Sequence, residues 1–264
     1  MATRRAPLGQ HFLRSPSILD RIAREAVSAL GDGLIVEIGA GPGALTTRLL
    51  SLGAAVVAIE MDPRLARGLR DNFRDNSRLE VVEADILEVD LAALIAQRTP
   101  GRAVVAGNLP YYITSPILRR IFEARGSISE AVLLIQKEVA ARVVARPGTR
   151  DYGYLSVLCQ AHSRPRICFT VPPGAFRPAP KVTSALVRLA IDPLFEQWSV
   201  AEPEAFLDFA QLCFHQKRKT LLNNLQGRFE RERLAGLPEA RLRAEQLSPA
   251  QLADLWLRLA APRS

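Results

Sequence analysis

Residues 34–43 read LIVEIGAGPG, and this stretch decides the fold class. Its first half, 34–38, is a short run that is apolar apart from Glu37, as in strands buried on both faces of a parallel sheet. The three glycines that follow allow a tight turn, and Leu45, Leu49 and Leu50 then recur at helical spacing. A strand, a glycine-rich turn and a helix in this order predict one βα unit of an open α/β sheet.

The alternation of strands and helices continues on both sides of this unit. Helices are predicted to begin at Ser15-Pro16 and Ser115-Pro116, because serine can cap a helix and proline suits its first position. Gly31-Asp32-Gly33 is expected to stop the first helix. Further strands are predicted at 55–59, 79–85, 102–106 and 131–135, with 166–171 and 184–189 as antiparallel additions at the far edge. The pattern predicts a doubly wound α/β sheet.

The pattern changes at Asp192-Pro193. Beyond it we find only helical periodicity, first from Phe206 to Leu225 and then in a helix predicted to start at Ser248-Pro249. We therefore predict an α/β domain over residues 1–192 and a small all-helical domain over residues 193–264.

The composition favours a polyanionic partner. The 264 residues carry 35 Lys and Arg against 27 Asp and Glu, a formal net charge of +8, and basic surfaces attract phosphate backbones. The excess of Arg over Lys is also typical of a GC-rich genome, which leaves a plain basic cytosolic protein as an alternative.

The sequence predicts no metal site and no membrane segment. The three cysteines are widely spaced and lack zinc-ligand spacing. The N-terminus lacks the apolar core of a secretory signal, and no apolar run approaches the roughly 20 residues that span a bilayer. A cytoplasmic location is expected.

Acidic residues at two strand ends predict a nucleotide site. Glu60 follows the second strand and Asp85 the third, and ligands of open α/β sheets bind beyond the carboxyl ends of the strands. Glu60 is placed to accept hydrogen bonds from both ribose hydroxyls, and Asp85 to accept one from an adenine amino group. The G-x-G-x-G spacing at Gly39 to Gly43 differs from the dinucleotide fingerprint, although NAD stays a rival to other adenosine cofactors at this point.

The run Asn108-Leu109-Pro110-Tyr111-Tyr112 carries the chemistry. The lone pair of an exocyclic adenine amine is delocalised into the ring, so a catalyst must hold that amine with acceptors that free the lone pair. The Asn108 side-chain oxygen and the Leu109 carbonyl can both accept its N–H groups. Pro110 stiffens the loop, and Tyr111 offers a flat face to a base extruded from its stack. The alternative is an ordinary proline-containing turn.

With these residues in place, nearly the whole chain resembles the ribosomal RNA adenine N6,N6-dimethyltransferase family. The matching stretches are GQHFL at 9–13, EIGAGPG at 37–43, EMD at 60–62, ADI at 84–86, NLPY at 108–111 and VPPGAFRPAPKV at 171–182. The resemblance implies a class I (Rossmann-like) methyltransferase sheet with S-adenosylmethionine as cofactor, bound by residues 1–192.

The resemblance also implies the site residues. Those expected to line the cofactor site are His11, Leu13, Gly39, Gly41, Glu60, Asp85, Ile86 and Asn108. The catalytic residues are expected to be Asn108, Leu109, Pro110 and Tyr111, with Phe176 as the second aromatic that sandwiches the adenine opposite Tyr111. The alternative for Phe176 is a core residue in a proline-rich loop.

His11 is a departure, because family members usually have Asn at this position. Imidazole can donate a hydrogen bond much as an amide does, so the cofactor contact is expected to survive with altered geometry.

Two branches of the family compete for this chain, the small-subunit enzymes and the antibiotic-resistance enzymes that act on large-subunit RNA. The run FHQKRKTLLNNL at 214–225 looks like the small-subunit branch. Lys217, Arg218 and Lys219 are predicted at a helix start, where they suit phosphate contacts, although a charge run can also be a solvated face. Lys181 is the fourth expected RNA-binding residue.

The substrate implied by the resemblance is a pair of adjacent adenosines in a hairpin near the 3′ end of small-subunit (16S) rRNA. The expected partner is this rRNA within a partly assembled 30S particle, modified during ribosome biogenesis by a monomeric enzyme. A non-catalytic ribosome-assembly factor and a nicotinamide oxidoreductase are the alternatives from other classes. The intact Asn108 loop argues against the first, and the loop spacing and the lack of a Tyr-x-x-x-Lys arrangement argue against the second.

Overall fold

A seven-stranded sheet forms the centre of the computed structural model, which describes residues 11–30 and 33–260. Its strands, in chain order, are β2 (Leu34–Ile38), β3 (Ala55–Glu60), β4 (Leu79–Glu83), β5 (Ala103–Asn108), β6 (Ile128–Gln136), β7 (Ser163–Val171) and β9 (Ser184–Ile191). Their order across the sheet is β4-β3-β2-β5-β6-β9-β7. The first five are parallel and β9 runs antiparallel to β6. The predicted doubly wound α/β sheet is confirmed.

Helices alternate with the parallel strands. They are α1 (Pro16–Ser28), α2 (Ala44–Ser51), α3 (Pro63–Asn72), α4 (Leu91–Ala96), α5 (Thr114–Glu123) and α6 (Lys137–Val143). The start of α1 is as predicted, but the Ser15 side chain makes no capping hydrogen bond and instead lies 3.3 Å from the Ser17 hydroxyl. The Gly31-Asp32 part of the predicted stop lies outside the described residues.

The strand order places the ligand edge of the sheet. β2 pairs with β3 on one side and with β5 on the other, so the order reverses next to β2 and the loops after these strands diverge there. The carboxyl ends of β2, β3 and β5 carry Gly39, Glu60 and Asn108 respectively. Residues from three separate parts of the chain therefore meet at one edge.

A second, two-stranded sheet was not predicted. It pairs β1 (Phe12–Leu13) with β8 (Phe176–Arg177) in antiparallel register, with Phe12 opposite Arg177 and Leu13 opposite Phe176. Arg14 N extends the pairing by donating to Ala175 O at 2.8 Å. Two-residue strands have no alternation to detect, and their partners here are more than 160 residues apart in the chain. This pairing fixes residues 11–13 beside the proline-rich loop.

Residue contacts divide the chain into two compact units. The first consists of residues up to Ala140 together with Arg166–Ile191, and the second of Ala141–Pro165 together with Asp192 onward. The break at Ile191/Asp192 lies next to the predicted boundary at 192/193. Residues 141–165, which the sequence pattern assigns to the first domain, cluster instead with the helical unit.

The second unit has its own apolar core. Its helices are α7 (Tyr154–His162), α8 (Pro203–Cys213), α9 (Leu221–Leu225), α10 (Arg231–Ala235) and α11 (Pro249–Ala260). The predicted cap of α11 forms, because Ser248 Oγ accepts from Gln251 N at 3.2 Å. Cys159 and Cys213 are fully buried, and burial raises the pKa of both thiols. Within the described residues, no helix is long and apolar enough to cross a membrane.

Candidate active site

A pocket open to solvent lies at the carboxyl ends of β2, β3 and β5, with about 840 Å³ of empty space that includes its open mouth. The predicted residues that line it are His11, Gly39, Gly41, Glu60, Asp85, Ile86, Asn108, Leu109, Pro110 and Tyr111. Phe12, Met61 and Tyr112 also line it; they stand in the motifs quoted above, but the sequence assigned them no role.

The glycine loop forms one wall of the pocket. Gly39, Gly41 and Gly43 have φ values of +70°, +57° and +85°, a region that L side chains rarely adopt. A Cβ at Gly39 would meet only Asn108 O, at 3.9 Å, so it would occupy pocket space. The glycine therefore leaves room for a ligand to lie directly against the backbone.

Glu60 is held rigidly at the end of β3. The side chain is buried, its Oε2 accepts from Gly41 N at 2.8 Å, and its Oε1 accepts from Asp62 N at 2.8 Å. Each carboxylate oxygen has a second lone pair and can accept one more hydrogen bond. The arrangement suits a diol such as the ribose hydroxyls.

Asp85 lies in the turn after β4. Its Oδ1 accepts from Leu87 N at 2.9 Å, which orients the carboxylate beside Ile86. Both residues line the pocket, and Ile86 is buried. An apolar side chain next to a fixed acceptor suits an adenine ring with its exocyclic amine.

Asn108 ends β5 and is oriented by the backbone of the N-terminal strand. Its Nδ2 donates to His11 O at 2.9 Å. Because the amide nitrogen faces this carbonyl, the Asn108 Oδ1 acceptor is the part of the amide left for a ligand. Leu109 is buried and its N–H donates to Leu134 O at 3.0 Å, which anchors the loop to β6.

Tyr111 and His11 form an aromatic pair. Their ring centroids lie 5.8 Å apart at an interplanar angle of 28°. The Tyr111 hydroxyl lies 2.8 Å from Ser184 Oγ, and His11 Nδ1 lies 2.8 Å from Pro178 O. Since a carbonyl can only accept, Nδ1 carries the hydrogen, and Nε2 is the ring nitrogen left for a ligand.

Two predicted residues lie outside this pocket. Phe176 is fully buried in the apolar core of the first unit, and Leu13, its partner in the β1–β8 sheet, is buried with it. The pairing turns both side chains into the core. Phe176 therefore presents no exposed face to a base, which matches the core alternative, and Leu13 lines an adjoining smaller cavity instead.

Glu37 was missed as a functional candidate. It is 2% exposed, and its Oε2 accepts from Thr46 Oγ1 at 2.6 Å. Burial raises the pKa of this carboxyl to about 8, the Glu60 charge adds to the rise, and the Thr46 hydrogen bonds oppose it. A lone acid inside an apolar strand was the signal in the sequence. It lines the adjoining cavity together with Asn108 and Gly39.

The predicted RNA-binding residues are all exposed. Lys181 lies in the loop before β9 of the first unit. Lys217, Arg218 and Lys219 lie in a turn of the second unit, whereas α9 begins only at Leu221, so the predicted helix start is wrong. Lys217 donates to Arg150 O and lies 3.6 Å from Glu245 Oε2, so part of its charge is already compensated.

Comparison with known proteins gives a consistent result. A family model for ribosomal RNA adenine dimethylases matches residues 1–261. The ribosomal RNA small subunit methyltransferase A of Koribacter versatilis is 42% identical over 269 residues, which cover 96% of this chain and 93% of the relative. The protein of the same name from Acidobacterium capsulatum is 44% identical over 255 residues, which cover 94% and 89%.

Solved structures show the same fold. A dimethyladenosine transferase from Plasmodium falciparum has a TM-score of 0.77 at 27% identity, covering 94% of this chain and 96% of that one. The 23S rRNA methyltransferase ErmE has a TM-score of 0.67 at 30% identity, covering 95% and 100%. The expectation of a Rossmann-like methyltransferase sheet is confirmed.

Proposed function

Because the chain belongs to the ribosomal RNA adenine dimethylase family, we propose that it transfers methyl groups from S-adenosylmethionine to adenine N6 in small-subunit rRNA. The relatives at 42% and 44% identity carry small-subunit names, whereas the 23S enzyme is 30% identical. These identities favour the small-subunit branch over the resistance branch. The proposed target is the pair of adjacent adenosines in a hairpin near the 3′ end.

S-adenosylmethionine fits the residues of the pocket. When bound, it supplies an electrophilic methyl group on a positively charged sulfur. Gly39 leaves space for a ligand against the backbone, Glu60 retains acceptor capacity for two ribose hydroxyls, and Asp85 and Ile86 suit the adenine ring. We assign these contacts, with those of His11 and Gly41, to cofactor binding.

The observation that carries the proposal is the orientation of Asn108. With Nδ2 committed to His11 O, Oδ1 accepts one N–H of the target amine, and the Leu109 carbonyl accepts the other. In the first transfer, two acceptors on these hydrogens favour a pyramidal nitrogen whose lone pair attacks the methyl carbon in line as the carbon–sulfur bond breaks; in the second transfer the monomethylated amine still has one N–H for Asn108 Oδ1. The residues need only align the amine and exclude water, because the methylated nitrogen loses its proton readily.

RNA binding is proposed for the helical unit and for Lys181. Arg218 and Lys219 are exposed cations in the turn before α9, and such groups hold phosphates without reading sequence. We propose a monomeric enzyme that works in the cytoplasm on rRNA within a partly assembled 30S particle. A hairpin loop suits the chemistry, because its bases leave the stack at less cost than paired ones.

The test is methylation of unmethylated small-subunit particles with tritiated S-adenosylmethionine, followed by digestion to nucleosides. The wild-type protein should produce labelled N6,N6-dimethyladenosine. Asn108→Ala should bind particles normally but lose at least about 100-fold in rate, the usual effect of removing a preorganised polar group.

Asn76→Ala is the matched control, since Asn76 is a half-buried residue between α3 and β4 of the same unit, away from the pocket, whose side-chain Oδ1 accepts from the nearby Arg78 N at 3.1 Å. It should methylate like the wild type. Tight particle binding by the wild type with no labelled nucleoside would establish an assembly factor instead. Equal rates for Asn108→Ala and the wild type would refute the assigned role of Asn108.

A further inference from the structure

Tyr112 is an aromatic side chain at the pocket that the proposed chemistry does not use. It is 63% exposed, more than any other large hydrophobic side chain among the described residues, yet it lines the pocket. Exposing a large aromatic group to water is unfavourable. Its position beside a ligand site makes the ring available to the part of a bound substrate that lies outside the pocket.

The backbone that carries Tyr112 is fixed. Residues Tyr111–Ile113 form one turn of 3₁₀-helix, in which Ile113 N donates to Pro110 O at 3.3 Å. The buried Thr114 hydroxyl donates to the same carbonyl at 3.3 Å. A rigid backbone leaves only the two side-chain torsions of Tyr112 to be ordered on binding, so little conformational entropy is lost.

Tyr111 and Tyr112 point in different directions. Successive residues of a 3₁₀-helix are about 120° apart around its axis. Tyr111 is tied to Ser184 through its hydroxyl and packs on the His11 ring, whereas Tyr112 has a largely free ring. Tyr111 thus lies inside the pocket, and Tyr112 lies at its rim.

Extrusion of a target adenine leaves the neighbouring base of the loop without a stacking partner close to this rim. When one base leaves the stack of a hairpin loop, its neighbour loses a stacking partner and exposes an apolar face. Proteins that bind single-stranded RNA cover such faces with aromatic side chains, at about 1–3 kcal/mol per base. Phe176 is buried and one face of Tyr111 is covered by His11, which leaves Tyr112 as the exposed aromatic group at the pocket.

We propose that Tyr112 stacks on the nucleobase next to the adenine that occupies the pocket. The inference rests on the proposed function and adds a second nucleotide to its substrate site. A side chain that holds the neighbouring base favours RNA in which a second, accessible base adjoins the target. Stacking on an aromatic ring tolerates every base, so the contact keeps the second adenosine close while the first is methylated without selecting its identity.

The test compares Tyr112→Ala, Tyr112→Phe and Leu52→Ala in the particle assay. Leu52 is the control, an exposed apolar side chain at the end of α2 in the same unit. Tyr112→Ala should raise KM for particles by about 5- to 150-fold, the equivalent of one lost base stack. Tyr112→Phe keeps the ring and should stay near the wild-type value, as should Leu52→Ala.

Cofactor affinity, measured by calorimetry, separates an RNA contact from a cofactor contact, and Tyr112→Ala should change it far less than it changes KM for particles. An unchanged KM in Tyr112→Ala, with a wild-type enzyme that methylates, would overturn the inference while leaving the proposed function intact. A Tyr112→Phe variant as weak as Tyr112→Ala would also overturn it, because the hydroxyl and not the ring would then be the contact. Absence of methylation by the wild type would instead remove the proposed function.

A direct readout uses particles that carry 2-aminopurine next to the target adenosine, since stacking quenches its fluorescence. Binding of the wild type and of Tyr112→Phe should leave the probe quenched, and binding of Tyr112→Ala should make it brighter. Equal brightness with all three proteins would contradict the stack.

Discussion

Replacement of Glu37 by Gln tests the electrostatics behind the glycine loop. Glu37 is 2% exposed on β2, and its carboxyl pKa is raised from the ordinary 4.5 to about 8, chiefly by burial. Gln has nearly the same shape and keeps an oxygen that can accept from Thr46 Oγ1, now at 2.6 Å. The substitution therefore removes the ionisation while it preserves the packing.

The size of the effect follows from the pKa difference between the folded and unfolded chain. Between pH 4.5 and about 8 the folded state holds a proton on Glu37 that the unfolded state has lost. The folded state binds more protons in this window, so stability falls as pH rises through it. The free energy of unfolding falls by up to about 1.4 kcal/mol per pH unit in this window. Across the whole window the loss of unfolding free energy is at most about 5 kcal/mol.

Urea unfolding at about pH 5, 7 and 8.5 measures this slope. Far-UV circular dichroism is the suitable probe, because both tryptophans, Trp198 and Trp256, belong to the helical unit and would report on it. Glu37→Gln should flatten the pH dependence and exceed the wild type in stability at the highest pH. The exposed Glu88→Gln should keep the wild-type slope. Parallel slopes for Glu37→Gln and the wild type would refute a buried, proton-binding Glu37.

Two further predictions concern His11 and the basic residues of the turn before α9, Lys217 and Lys219. His11→Phe keeps a ring on Tyr111 but loses the hydrogen bond to Pro178 O, which we expect to cost about 0.5–1.5 kcal/mol of unfolding free energy. His11→Ala should cost about 0.5–1.5 kcal/mol more, because it also removes the ring pair; equal urea midpoints for the two variants would contradict the stack. Lys219→Ala should weaken particle binding and lower the slope of log affinity against log salt by about one unit. Lys217→Ala should change that slope less, because Lys217 already lies 3.6 Å from a carboxylate, and the reverse order would contradict the assignment.

The sheet was predictable because burial dictates the composition of its strands. The strand at Leu34–Ile38 was predicted to the residue, and all five of its residues are buried. The strand predicted at 131–135 extends to Ile128–Gln136, and the prediction was too short at its start because two polar residues, Ser129 and Glu130, interrupt the apolar run. One of these, Glu130, is paired with Arg188 of the antiparallel β9. That partner lies 58 residues away, so no local pattern marks Glu130 as part of a strand.

The site was predictable where its residues end parallel strands, and unpredictable where long-range pairing decides. Gly39, Glu60 and Asn108 line the pocket because each lies at the carboxyl end of a parallel strand, at the same edge of the sheet. Phe176 also stands in a family motif and was expected in the site. Its strand pairs with that of Leu13, however, and its side chain lies in the core. Motif spacing identifies which loops meet, but the face that each side chain presents depends on contacts made across the chain.

The same pairing explains why the orientation of Asn108 does not depend on the side chain of residue 11. Asn108 is oriented by the carbonyl of residue 11 and not by its side chain, since the hydrogen bond runs from Asn108 Nδ2 to His11 O. That carbonyl is positioned by β1, which pairs with β8. Any side chain that leaves β1 paired with β8 keeps the carbonyl in place, and with it the acceptor that Asn108 offers to the target amine. Residue 11 can therefore vary in chemistry while the catalytic orientation is retained, whereas disruption of β1 would disturb Asn108 without any change to the Asn108 loop itself.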